Sequence, residues 1–121
     1  MAAIAEQMLP KMLTTQTIAA HPDVADRVRA LMARQPVEGV VGSLMAMRDR
    51  PDSTPMLEKI AVPTQTITGA EDTLIPPKES ETMRNAIPGA RLVVIPGAAH
   101  LSNFEQPDSF NQALRGFLNS L

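Results

Sequence analysis

Before residue 60 the apolar positions recur at helical spacing: Ile4, Met8 and Met12; then Val24, Val28, Leu31 and Met32; then Val37, Val40, Val41, Leu44 and Met45. Each set predicts a helix with one apolar stripe. Breaks are expected at His21-Pro22-Asp23, Gln35-Pro36 and Arg50-Pro51-Asp52, because the residue before a proline is driven out of the helical region. Thr54 then reads as an N-cap with Pro55 at the first helical position, leading Met56, Leu57 and Ile60 onto one side of a short helix. After Ile60 the rhythm becomes strand, loop, helix, repeated twice, which predicts two βα units. Residues 62–68 are β-prone and stop at Gly69; residues 77–87 are helix-compatible and stop at Pro88-Gly89; residues 91–95 form a short apolar strand ending at Pro96-Gly97. The last helix opens at Pro107 and places Phe110, Ala113, Leu114, Phe117, Leu118 and Leu121 on one face.

Composition sharpens the division. Seven of the eight Met lie at or before Met56, while all three Phe lie beyond residue 103. The expected organisation is a helical segment over residues 1–60 followed by a βαβα part over residues 61–121. The methionines Met8, Met12, Met32, Met45 and Met47 read first as fillers of gaps between helices. At 121 residues and 44% apolar content the chain is the size of one ordinary domain with a workable core. A net charge of -2, no Lys/Arg run and no Trp or Tyr argue against a nucleic-acid or anionic-membrane footprint. Met1 to Leu9 has no basic leader region and no stretch of 18 apolar residues occurs, so neither a signal peptide nor a membrane span is expected. Zero Cys excludes a disulfide framework and thiolate chemistry and is compatible with a reducing cytoplasm, the expected location. No His/Asp/Glu group has metal-ligand spacing and no Gly-rich loop is suited to phosphate, so no metal or cofactor is expected. His21 reads as a turn residue.

Chemistry concentrates in two loops. Gly69-Ala70-Glu71-Asp72 follows the first strand and Gly97-Ala98-Ala99-His100 follows the second, at the sheet edge where parallel α/β folds bind ligands. If the strands are neighbours, Asp72 can hold one imidazole nitrogen of His100 and leave the other as a general base. A surface Asp and a solvated loop His are the competing reading. These two loops, with residues 62–77 and 87–107 around them, resemble the carboxyl-terminal part of an α/β-hydrolase. Residues 8–13 and 47–55 are similar to the helical cap and its return in esterase-like and enol-lactonase-like members. The resemblance implies a truncated α/β-hydrolase fold, with a cap segment before two parallel-strand βα units. It also implies Asp72 as catalytic acid, His100 as catalytic base, and a small carboxylic ester or lactone as substrate.

Three departures bear on that expectation. No Gly-x-Ser-x-Gly nucleophile elbow occurs, and none of the six serines has its glycine spacing. Ser102 and Ser43 are the remaining candidate hydroxyls. The position before the histidine is Ala99 where such enzymes usually carry Gly, which matters if positive φ is needed there. Gln65 interrupts a strand that would read as continuously apolar if covered on both faces. Two strands with open edges need cover, so a homodimer or higher oligomer is expected. The readings left open are an active hydrolase with an unidentified nucleophile and a non-catalytic remnant that assembles or binds a small ligand. A third is a coding sequence that begins at an internal Met of a longer gene.

Overall fold

The computed structural model describes residues 1–121. Four helices come first: α1 (Ala2–Met12), α2 (Thr15–Ala20), α3 (Pro22–Ala33) and α4 (Val37–Asp49). A 3-10 segment, Thr54–Lys59, leads into β1 (Gln65–Gly69), α5 (Pro77–Ala86), β2 (Arg91–Ile95), α6 (Ser102–Glu105) and α7 (Pro107–Leu118). The two strands pair in parallel, with Gln65 opposite Arg91 and Gly69 opposite Ile95. No helix is long and apolar enough to cross a membrane.

The proline breaks fall where expected: His21 closes α2 and Pro22 opens α3, while Pro36 precedes α4. Four details depart from the sequence reading. Thr54 is the first residue of the 3-10 segment and Ser53 is its N-cap, because the Asp52 carboxylate accepts from the Thr54 backbone N–H at 2.9 Å and holds the entry turn. The first strand starts at Gln65, three residues later than its β-prone stretch. Helices α2 and α6 went unanticipated, since six and four residues are too short to show an apolar period. The apolar stripe of α4 is real in register but has no buried residue: Val37, Val41, Leu44, Met45 and Met47 are all exposed.

The apolar core lies between α1, α2 and α3, around Leu9, Leu13, Ala25 and Val28, and draws in Leu101 and Phe104 from the segment after β2. The Arg27 guanidinium sits 5.3 Å from the centre of the Phe104 ring and covers that contact from α3. The sheet is packed by α5 and α7. Gln65 answers its own anomaly: its Nε2 donates to the Ala113 carbonyl of α7 at 3.1 Å, so the polar strand residue is satisfied by the covering helix. Burial in both strands rises toward the carboxyl ends, at Thr68, Gly69 and Ile95, where the two chemistry-bearing loops begin.

Candidate active site

The two loops are built against each other. A side chain at Gly69 would place its Cβ 2.1 Å from the Ala99 carbonyl oxygen and 2.3 Å from that of Ala98, so only glycine lets the histidine loop pass over the end of β1. Ala70 N–H donates to the Ile95 carbonyl and Glu71 N–H to the Ala98 carbonyl, both at 2.9 Å, which laces the acid loop to the histidine loop. Gly97 turns the chain out of β2 with φ +68. Glycine thus sets the path, and Asp72 and His100 are carried on it. Ala99 has no positive φ, so the missing glycine before the histidine carries no conformational strain.

Asp72 is buried, at 7% exposure. Its Oδ1 accepts from the backbone N–H groups of Leu74 and Ile75, each at 2.9 Å, which fixes the carboxylate plane. Its Oδ2 lies 2.9 Å from Nδ1 of His100. An ionised carboxylate only accepts, so Nδ1 carries the proton and Nε2 presents its lone pair. The His100 side chain keeps 32% exposure, and Nε2 makes no hydrogen bond within the chain. The structure therefore brings together the two residues singled out from the loops.

It does not add a hydroxyl to them. Ser43 lies in α4, where its Oγ donates to the Gly39 carbonyl at 2.9 Å. Ser102 is buried at the start of α6 and makes no hydrogen bond to the imidazole, whose side-chain partner is Asp72. His21 is an exposed residue between α2 and α3, the turn role its sequence neighbours gave it. An open cleft of about 370 Å³ runs beside the loops, bounded by Pro10, Leu13, Thr14, Glu71, Thr73 and Ala99.

One residue at the site carried no role in the sequence reading. Glu105, 8% exposed, accepts from the Ala99 N–H through Oε2 at 2.5 Å and from the Thr14 N–H through Oε1 at 2.6 Å. Its only sequence signal is faint: Thr14 caps α2 without a Glu or Gln three residues later to take the cap's own N–H.

Comparison with known proteins gives a consistent family. The model of the alpha/beta hydrolase fold matches residues 6–107. Over 97 residues the chain is 33% identical to a putative carbamate hydrolase, RutD, of Klebsiella pneumoniae, a match covering 80% of this chain and 36% of that protein. A thermophilic esterase from Thermogutta terrifontis superimposes with a TM-score of 0.94 at 39% identity, over 98% of this chain and 43% of that one. The enol-lactonase from Burkholderia xenovorans LB400 does so with a TM-score of 0.92 at 31% identity, over 98% of this chain and 45% of that one. The chain thus spans between 36% and 45% of the length of these relatives.

Proposed function

The chain belongs to the α/β-hydrolase family, and from that premise we propose that Asp72 and His100 are the acid and base of a site that hydrolyses small carboxylic esters or lactones. It corresponds to the carboxyl-terminal part of an esterase-like or enol-lactonase-like member, and residues 1–60 are proposed as the cap segment against a core part formed by residues 61–121. The observation that carries the reading is the 2.9 Å contact from Asp72 Oδ2 to His100 Nδ1, on a carboxylate already held by two backbone amides.

The chemistry follows from that arrangement. Nε2 takes a proton from an attacking hydroxyl as its oxygen bonds to the carbonyl carbon, and Asp72 stabilises the imidazolium so formed. The imidazolium then returns the proton to the leaving alkoxide as the carbon–oxygen bond of the ester breaks. No serine hydroxyl of these 121 residues bonds to His100, so the nucleophile is unidentified: Nε2 activates water or a hydroxyl recruited to it. Hydrolysis of short-chain nitrophenyl esters by purified protein tests this. His100→Ala is expected to lower the rate by about a hundredfold or more, the usual contribution of a general base. Equal rates for wild type and His100→Ala, both folded, favour the second reading: inherited loops in a domain that binds or assembles without turnover. The observation on that side is the lack of a hydroxyl bonded to the imidazole.

We also propose a homodimer or higher homo-oligomer. The accessible surface is 8233 Å², against about 6,300 Å² for a compact monomer of this mass, and the uncovered apolar face of α4 lies within that excess.

A further inference from the structure

Glu105 is a buried carboxylate with no cationic partner, held by two backbone amides from segments far apart in the chain. One is the N–H of Ala99, the residue before His100. The other is the N–H of Thr14, the N-cap of α2 in the helical segment. In a capping box a helix supplies its own acceptor for the N-cap N–H from a Glu or Gln at the third helical position. Here that position is Thr17, whose hydroxyl accepts from Thr14 Oγ1 at 2.9 Å while its backbone N–H donates back to Thr14 Oγ1 at 3.0 Å. The cap N–H is left over, and Glu105 takes it from 91 residues away.

We propose that Glu105 is a positioning residue that makes α2 the fixed reference for the histidine loop. Its carboxylate sets the distance between the Thr14 and Ala99 backbones, and so sets where His100 presents its ring to Asp72. Nearby contacts run in the same direction. Leu101 N–H donates to the Met12 carbonyl at 3.0 Å, and Leu101 and Phe104 pack into the core of α1 and α3. The histidine loop is therefore referred to the helical segment on one side and, through Glu71 N–H and the Ala98 carbonyl, to the acid loop on the other. A shift of the helical segment reaches His100 through Glu105 before it reaches Asp72. The catalytic weight of this coupling rests on the proposed acid–base role of the pair. The geometric coupling does not, and its test reads the imidazole and one amide rather than turnover.

The link can be cut from the far end. Thr14 has φ -66, and Leu13 before it is extended at φ -125 and ψ 152, so Thr14→Pro fits the backbone while deleting the donated N–H. Thr14→Ala removes the same hydroxyl cap but keeps the N–H. Glu105→Gln keeps the shape and can accept only one of the two amides. Nitrogen-15 spectra of the His100 ring report its tautomer, and hydrogen exchange at the Ala99 amide is read as a ratio to that of Ile67 in β1, which removes any uniform loss of stability. Glu105→Gln, which weakens the acceptor of the Ala99 amide itself, is expected to raise that ratio about tenfold or more, the scale of a lost hydrogen bond to a charged group. Thr14→Pro, which frees only the far end of the carboxylate, is expected to raise it in the same direction by less, and both are expected to mix the His100 tautomers. Thr14→Ala is expected to match wild type in both readouts. The proposal is overturned if Thr14→Pro and Glu105→Gln leave the ratio and the ring signals unchanged, or if Thr14→Ala alters them as much as Thr14→Pro does. Should Thr14→Pro not fold, Glu105→Gln against Thr14→Ala decides between the same two results.

Discussion

At the scale of single residues, the site depends on where glycine is required and where it is not. Gly69 is needed for space, since any Cβ there meets the backbone of Ala98 and Ala99, whereas Gly89 has nothing near it and is needed only for its φ of +72. The two demands predict different costs. Gly89→Ala should lose about 1 kcal/mol, the penalty of a left-handed conformation, while Gly69→Ala should lose about 3 kcal/mol, because backbone cannot move aside as a flexible side chain can. Denaturant unfolding separates them, and equal losses would show that the loops can part without cost. Asp72 and His100 were legible in the sequence because glycines and strand ends flank them on both loops. Glu105 and the Gln65 contact to Ala113 were not, because each depends on a partner 48 or more residues away that no local pattern announces.

At the scale of elements, periodicity and proline located α1, α3, α4, α5, β2 and α7, since each is long enough, or apolar enough, to show its period. What periodicity did not give is cover. On α1 the stripe read from the sequence, Ile4, Met8 and Met12, lies beside the buried face, which is Ala5 and Leu9 with Ile4 exposed, and the stripe on α4 buries nothing. Leu44→Glu should therefore change the stability of the isolated chain by less than about 0.5 kcal/mol, as at ordinary surface positions, and should abolish self-association if that face is the contact. A loss of several kcal/mol in thermal unfolding would instead mean that Leu44 is packed within the chain. The 3-10 segment offers a pH test. The Thr54 hydroxyl and backbone N–H hold the Asp52 carboxyl below the usual carboxylate range. A carboxylate lowered on folding stabilises the folded turn above its unfolded pKa, and that contribution is lost as pH falls through the lower, folded value. Hydrogen exchange at the Thr54 amide should accelerate relative to its intrinsic rate only in that acid range, and Asp52→Asn should remove the dependence.

At the scale of the whole molecule, apolar surface lies uncovered on several elements. The chain spans 43% of the esterase on which it superimposes, and the exposed apolar positions on α4, on β2 at Val94 and on α7 at Leu114 and Leu118 are those a compact fold would cover. Sedimentation velocity at micromolar concentration should show a dimer or larger species, and a single monomeric boundary would refute the assembly. Asp72 and His100 are proposed to act as one unit, and a double-mutant cycle on ester hydrolysis separates that from two independent contributions. Asp72→Asn and His100→Ala should each slow the reaction, and the double variant should be no slower than His100→Ala alone, because removing the base leaves the acid nothing to orient. Independent, multiplying losses, or rates untouched by either change in folded protein, would show that the two residues do not work as a pair.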